Sequence, residues 1–343
     1  MKNITKLTLF LFISILFASC ENEDWEFPDF EYQTVYFAHQ YPVRTITLGE
    51  DIFDTSLDNE WKFQIMATTG GVYENPADVT VDITVDNSLV DGLAFEGAGD
   101  ILSMPGNYYN IVADKIIIPK GKIVGGVQVQ LTEAFFADPL AIHRNYVIPV
   151  RMTNVQNADS ILSGKPLVAD GRRTVASDWS VQPKDFVLYA VKYINQLHGY
   201  YLRRGEDVIV GKNGNANLDQ TIVRGEEFVV DDEVVLLTTQ SLNKVLFPVT
   251  FKSSDGTNIE VPLILTFDED GTITVGTNST DFSVTGSGEF VKDGEENSWG
   301  NQDRDAIYLN YEVDLDDFRV STTDTLVMRN RGVEMELFTP VLE

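Results

Sequence analysis

The sequence feature that most limits the possible folds is a two-residue alternation of apolar and polar side chains. In residues 79–85 every odd-numbered residue is apolar and, up to 84, every even-numbered one is polar; residues 127–131 repeat this pattern. Because a β-strand directs successive side chains to opposite faces, each segment has one face that packs inward and one that meets water. The alternation therefore predicts an all-β protein.

The part of the chain from residue 31 to residue 155 has the strand density of a β-sandwich. Seven short runs are predicted to be strands, namely residues 34–38, 44–48, 61–68, 79–85, 114–118, 127–131 and 145–152. About seven strands in some 120 residues is typical of an immunoglobulin-like sandwich. The chain has one cysteine, so an inter-sheet disulfide is excluded and only the architecture is implied.

Between the two halves the strand pattern weakens. Residues 156–182 are predicted to be an exposed connection, with the domain boundary near Trp179. The next segment, residues 183–199, fits two structures. Its apolar residues have helical spacing between Pro183 and Gly199, and its alternate residues also fit a strand. A helix is the preferred prediction, and a strand remains the alternative.

Residues 183–343 are predicted to form the second domain. About ten strands in this part of the chain must protect their edges, and closure does so. An antiparallel β-barrel is preferred, and a lectin-like double sheet is the alternative. The start His198-Gly199-Tyr200-Tyr201, with Arg329 and Arg331 near the last strands, resembles the lipocalin-like arrangement of a Gly-x-aromatic start and a distal arginine.

The first twenty residues divide into the zones of a secretory signal. Lys2 and Lys6 precede an apolar run from residue 7 to residue 17, which is too short to span a bilayer. Phe17-Ala18-Ser19-Cys20 matches a lipobox. Residues 1–19 are therefore predicted to be a signal peptide, and Cys20 to be lipidated as the mature N-terminus. We therefore expect a lipid-anchored protein of the outer membrane.

The charge of the chain is strongly negative. The formal net charge is −28, and removal of Lys2 and Lys6 with the signal peptide takes it to −30. Nucleic acid is excluded as an expected partner, because phosphate binding needs a basic surface. The tether of residues 20–30 contains Glu21-Asn22-Glu23-Asp24, which resembles the acidic tag that marks surface export in Bacteroidetes lipoproteins.

Several stretches resemble one family. Residues 116–121 and 146–150 resemble an N-terminal module that also precedes family-18 endoglycosidase domains. Residues 188–195 and 198–205 resemble the beginning of its companion C-terminal domain, and residues 327–332 resemble the end of that domain. The family is that of two-domain outer-membrane lipoproteins of Bacteroidetes, found beside glycan-uptake machinery. The resemblance implies a surface location, glycan capture and contact with transporter components, but no reaction.

The sequence contains no established catalytic motif. His39, His143 and His198 are too widely spaced for a metal site, and no metal or cofactor is predicted. Acidic pairs such as Asp303 and Asp305 are common in so acidic a chain, and solvated turns explain them better than glycosidase chemistry does. A non-catalytic protein is therefore expected.

The best candidate for ligand binding is the polar loop of residues 292–304. Trp299 could stack on the C–H face of a sugar, and its neighbours could bind hydroxyl groups in pairs. The candidate residues are Trp299, Asn301, Gln302, Asp303, Arg304 and, on the adjacent strand, Tyr308. The alternative is that Trp299 folds back onto the end of the barrel.

Tyr108 and Tyr109 form a second candidate platform, on the N-terminal domain. Packing at a strand edge is the alternative for both. The expected function is that of a surface lipoprotein that captures oligo- or polysaccharide. A glycosidase with paired carboxylates and an adhesin that binds protein remain as alternatives.

The prediction for Cys20 is tested by Cys20→Ser. This variant should lose incorporation of an alkyne-labelled palmitate in a Bacteroides host, because only the thiol forms the thioether. Ser19→Ala keeps a small residue before the cysteine and should be labelled like the unmodified protein. Equal labelling of Cys20→Ser would contradict the lipobox interpretation.

Overall fold

The computed structural model describes residues 30–342. The predicted signal peptide of residues 1–19, Cys20 and the tether up to residue 29 lie outside the described residues. Among these residues, two short α-helices, α1 (Ser56–Asn59) and α2 (Glu133–Ala137), and five short 3-10 helices accompany a structure that is built mainly from strands, which confirms the all-β prediction. Within residues 30–342, no helix is long and apolar enough to cross a membrane.

The N-terminal region contains fourteen strands, several of them very short. They are β1 (Thr34–Tyr36), β2 (Pro42–Thr47), β3 (Lys62–Gly70), β4 (Val79–Val85), β5 (Leu93–Phe95), β6 (Leu102–Ser103), β7 (Tyr109–Ile111), β8 (Lys115–Ile118), β9 (Val124–Leu131), β10 (Tyr146–Gln156), β11 (Ser160–Ile161), β12 (Lys165–Pro166), β13 (Trp179–Val181) and β14 (Phe186–Ile194).

The main strands of this region pair in the order β11-β1-β3-β9-β8-β4-β10-β14-β2. Strands β8 and β9 share a single paired position, Ile117 with Gly126. Apolar side chains from both sides of this junction meet in one core, for example Phe63 and Val129 with Ile116 and Ile148. The result is the sandwich-like packing that the alternating pattern predicts.

Residues 183–199 do not form the preferred helix, because β14 occupies this segment. The strand pairs with β10 on one side and with β2 on the other, so it lies in the middle of the N-terminal sheet. Phe186 and Leu188 face one buried cluster, and Val187 and Val191 face another. A strand that is buried on both faces has a continuous apolar sequence, which explains why the segment also fitted a helix.

The C-terminal region contains the strands of the barrel. They are β15 (Gly199–Gly211), β16 (Gln220–Arg224), β17 (Glu233–Ser241), β18 (Lys244–Lys252), β19 (Asn258–Phe267), β20 (Thr272–Gly276), β21 (Ser283–Glu295), β22 (Arg304–Asp314) and β23 (Phe318–Asn330). Eight antiparallel strands, β15 and β17 to β23, close when β23 pairs with β15. This confirms the barrel rather than the double sheet.

The end of the chain returns to the N-terminal domain. Strand β24 (Glu336–Leu337) pairs with β2, and β25 (Pro340–Leu342) pairs with β5. Phe338 is buried between them in the same cluster as Phe186. The barrel thus extends from residue 199 to residue 330, and both flanks of the predicted 183–343 domain belong to the N-terminal sheet. The domain boundary predicted near Trp179 therefore does not coincide with the start of the barrel at residue 199.

The interior of the barrel is filled by side chains, among which lies an ion-pair network. The fully buried Asp324 carboxylate accepts from Arg203 Nη2 at 2.9 Å, from Arg224 Nη2 at 2.6 Å and from the Tyr311 hydroxyl at 2.9 Å. Burial and the Asp324 carboxylate raise the pKa of Tyr311. A buried charge of this kind is tolerated only because it is paired and hydrogen-bonded.

Asp324→Ala is expected to destabilise the barrel by about 3–5 kcal/mol, because two guanidinium groups would lose their buried partner. Urea unfolding followed by tryptophan fluorescence, compared with the exposed-site control Asp281→Ala, measures the loss. Equal unfolding midpoints for Asp324→Ala and Asp281→Ala would contradict the importance of this network.

Candidate functional site

A cavity with a volume of about 790 Å3 lies between the two domains. The loop after β2 lines it on the N-terminal side, and the ends of β21, β22 and β23 line it on the barrel side. A cavity of this size falls in the range of small-ligand sites. We call it the interdomain cleft; its lining residues include Glu50, Asp51, Ile52, Phe53, Phe290, Lys292, Asp303, Arg304, Asp305, Met328, Arg329 and Glu334.

The loop after β2 is held against the barrel by close backbone contact. Gly49 has a φ of +88°, and its N–H donates to Asn59 Oδ1 at 2.8 Å. A Cβ atom at this position would lie 2.9 Å from Gln196 Cβ, so the contact requires glycine. Beyond it, Ile52 is fully exposed and Phe53 is 39% exposed at the edge of the cleft.

Arg331 joins the two domains behind the cleft. Its Nη1 donates to Glu50 O at 2.8 Å and its Nη2 to Leu48 O at 3.0 Å, both in the N-terminal domain. Nη2 also donates to Asn195 O at 2.6 Å, and Nε donates to His198 O at 2.7 Å, where the barrel begins. Burial lowers the pKa of Arg331. The predicted closing arginine of the barrel is thus also the tie between the domains.

The other wall of the cleft is the connection between β21 and β22. Left-handed backbone at Asp293, Asn297, Gly300 and Asn301 turns the chain sharply, and Gly, Asn and Asp are the residues that tolerate this conformation. Lys292 reaches across to Glu50 with a separation of 2.6 Å, and this ion pair raises the pKa of Lys292. The turn-forming residues therefore shape the loop for which ligand binding was predicted.

Of the six residues predicted around this loop, Asp303 and Arg304 line the cleft. Trp299 is half-buried behind them. Its Nε1 donates to Met328 O at 3.2 Å, and the Arg304 guanidinium lies 3.6 Å from its ring centroid. One face of the indole is therefore covered by Arg304. Trp299 was predicted to stack on a sugar, but in the structure this face supports the Arg304 guanidinium.

The remaining predicted residues lie outside the cleft lining. Asn301 and Gln302 are exposed at the tip of the loop. The Tyr308 hydroxyl donates to Gly294 O at 2.9 Å and contacts Glu295 Oε1 at 3.0 Å. Burial, together with Glu295, raises the pKa of Tyr308 to about 12. Tyr308 thus ties the end of β21 to β22.

Tyr108 and Tyr109 are occupied by packing within the N-terminal domain. The Tyr108 hydroxyl donates to Asp138 Oδ2 at 2.8 Å, and its ring packs edge-on against Tyr146. Tyr109 pairs with Leu131 in the sheet and is half-buried. The geometry fits the alternative that was given for both residues, which is packing at a strand edge.

Three carboxylates of the cleft share one arrangement. Asp303 Oδ1 accepts from Asn297 N at 2.8 Å, Asp305 Oδ1 from Asp293 N at 3.0 Å, and Asp51 Oδ1 from Ile52 N at 2.6 Å. Among the described residues, no donor reaches the second oxygen of any of them, and Asp51 Oδ2 is hidden from solvent. Each aspartate is held by the backbone and keeps one oxygen free.

Sequence reasoning missed the N-terminal wall of the cleft. Asp51, Ile52 and Phe53 come from a short connection with no motif, and only the tertiary structure brings them to the barrel. The nearest signals in the sequence were the Asp303 and Asp305 pair and the distal Arg331. In the part of the chain that the structure describes, no group of three or more His, Cys, Asp or Glu residues is placed to hold a metal ion.

The fold and the cleft define a class of protein, in which a β-sandwich and a closed barrel are joined into one two-domain unit. A model of a domain of unknown function, DUF5627, matches residues 196–332, and a model described as an N-terminal domain matches residues 30–159. No curated protein is similar to the chain.

One solved structure from Bacteroides ovatus shows the family. A protein of unknown function is 48% identical, with a TM-score of 0.87, and the match covers 92% of this chain and all of that one. The chain belongs to the family of this protein. A second protein of unknown function, 12% identical, has a TM-score of 0.41 over 90% of this chain and 99% of its own.

A third Bacteroides ovatus structure is that of a proposed carbohydrate binding protein. It is 13% identical to the chain, with a TM-score of 0.28, and the match covers 88% of this chain and 98% of that one. At this degree of similarity it carries no argument about the function of the chain.

His198, which lies behind the cleft, makes the stability of the folded protein depend on pH. Burial, with nearby Arg331 and Lys192, lowers the pKa of His198 from 6.5 to about 4, and its Nδ1 accepts from Thr239 N at 3.1 Å. The folded protein therefore holds a neutral imidazole, whereas the unfolded chain takes up a proton below about pH 6.5. The contribution to stability is present above that pH and is lost as the pH falls towards 4.

Between pH 7 and pH 5, His198 should lower the free energy of unfolding by roughly 2 kcal/mol. The His198→Asn variant cannot gain this charge, so its unfolding by urea should depend less on pH. The exposed-site control His39→Asn should behave like the unmodified protein. An unchanged pH dependence in His198→Asn would contradict the buried neutral state.

Proposed function

We propose that the protein captures oligo- or polysaccharide in the interdomain cleft without cleaving it. The observation that carries this proposal is the composition of the cleft, which combines apolar and aromatic surface from Phe53, Phe290 and Met328 with the fixed carboxylates Asp303 and Asp305. A sugar offers a C–H face to the first kind of group and hydroxyl donors to the second. A preformed cleft with a few converging polar groups is the usual form of a ligand site.

The location that we propose is the outer face of the cell. The lipobox at Cys20 and the acidic Glu21-Asn22-Glu23-Asp24 behind it support this location. Lipid attachment would then hold both domains at the surface, where a glycan can be captured and passed to components of an uptake system. The large negative charge of the chain leaves uncharged glycans unopposed.

A glycosidase is the second candidate function, because Asp303 and Asp305 line the same cleft. Paired carboxylates are the catalytic groups of most glycosidases. The experiment that separates the two functions is incubation of the protein with each glycan that it binds, followed by analysis of chain length. Unchanged glycans agree with capture, and shorter products would show an enzyme.

The proposed function predicts binding on a glycan array by the mature protein, with residues 1–19 removed and Cys20 replaced by serine. Phe53→Ala should weaken binding to the same glycans on the order of tenfold, since a lost contact of about 1.4 kcal/mol has this effect. Isothermal titration calorimetry with an array-positive oligosaccharide measures the change.

Two aromatic substitutions serve as matched controls. Phe228→Ala removes an exposed ring that does not line the cleft, and Tyr108→Ala removes the second predicted platform. Neither should change the affinity. Absence of binding to every glycan on the array would contradict the proposed function, and a loss confined to Tyr108→Ala would move the site to the N-terminal domain.

A further inference from the structure

The hydrogen-bonding capacity of the cleft is unevenly distributed between donors and acceptors. The donors of Arg331 are bound to backbone carbonyl oxygens of both domains, and Lys292 is paired with Glu50. Arg304 uses Nε and Nη2 on Trp299 O, at 3.3 Å each. Arg331, Lys292 and Arg304 therefore each already donate to protein acceptors.

The acceptors of the cleft remain available. Asp303 and Asp305 each use one carboxylate oxygen on a backbone N–H and, among the described residues, leave the other without a protein donor. The second oxygen of Asp51 is hidden from solvent and is not available to a ligand. An ionised carboxylate accepts hydrogen bonds and cannot donate them. A ligand that satisfies these oxygens must bring donors of its own, as the hydroxyl groups of a sugar do.

The net charge of the cleft also favours an uncharged ligand. Its lining contains six acidic residues, Glu50, Asp51, Asp293, Asp303, Asp305 and Glu334, and four basic ones, Lys292, Arg304, Arg329 and Arg331. Lys292 and Arg329 are the exposed basic residues of the set, and Lys292 is paired with Glu50. The acidic excess disfavours a ligand that carries carboxylate or sulfate groups, and such groups present acceptors to a site that already holds acceptors.

We propose that the cleft selects uncharged, hydroxyl-rich glycans against acidic ones, and that the free oxygens of Asp303 and Asp305 are the groups that make this selection. The proposal rests on the proposed function, since it names the class of glycan that the same cleft binds. Each aspartate accepts from a sugar hydroxyl in the complex, and each repels a uronic acid or a sulfate ester at the same position.

The test uses an array of matched pairs, in which each uncharged oligosaccharide is accompanied by its uronic acid or sulfated counterpart of equal length. The mature protein should bind uncharged members at least tenfold more strongly than their acidic partners. Preferential binding of the acidic members would overturn the selection and leave glycan capture intact. Binding to no member would overturn the proposed function, and the selection with it.

The double variant Asp303→Asn/Asp305→Asn assigns the selection to these residues. Asparagine keeps an oxygen for the backbone N–H and replaces the free oxygen by a donor, so the loops should fold as before. The variant should lose at least tenfold in affinity for the uncharged member of a pair and gain affinity for the acidic one. An unchanged ratio between the two members would overturn the assignment.

A second double variant controls for the charge of the whole chain. Asp100→Asn/Asp281→Asn removes two negative charges from exposed positions outside the cleft lining. The ratio of its affinities for the uncharged and the acidic member of a pair should equal that of the unmodified protein. A ratio like that of the cleft variant would show an effect of the total charge instead. Binding of uncharged glycans should also persist in EDTA, because loss of binding would place a metal ion between the carboxylates and the sugar.

Discussion

The arrangement of the two domains depends on one buried guanidinium. Arg331 donates to backbone carbonyl oxygens of Leu48 and Glu50 on one domain and of Asn195 and His198 at the start of the other. A buried charge that is satisfied by fixed carbonyl groups is costly to replace, because its removal leaves several polar groups without partners. This contact fixes the loop that follows β2 against the barrel, and the cleft exists only while the loop stays there.

The return of the chain to the N-terminal domain has the same effect on a larger scale. Strands β24 and β25 cross back from the barrel, and Glu336 forms ion pairs with Arg144 at 2.9 Å and Lys192 at 2.7 Å. The buried Phe338 anchors this tail in the third core cluster. A cleft between domains that are tied at both ends of the barrel is preformed, so little ordering is needed when a ligand binds.

The sequence was informative wherever one face of a strand meets water. Residues 79–85 alternate and form β4, and closure of the second domain followed from the need to protect many strand edges. The alternation fails where both faces are buried, as in β14, and the segment was predicted to be a helix for this reason. Asp303 and Arg304 were found because a polar loop surrounds an aromatic residue. Asp51 and Phe53 could not be found, because only the contact around Gly49 and Arg331 brings their loop to the barrel.

The central claim is that the interdomain cleft holds an uncharged glycan through Asp303 and Asp305. A crystal structure of the mature protein with an array-positive oligosaccharide tests it most directly. The account predicts electron density between residues 49–53 and residues 292–305, with sugar hydroxyls within hydrogen-bonding distance of the two free carboxylate oxygens. Density for the oligosaccharide at Tyr108 and Tyr109, or anywhere else with the cleft empty, would contradict it.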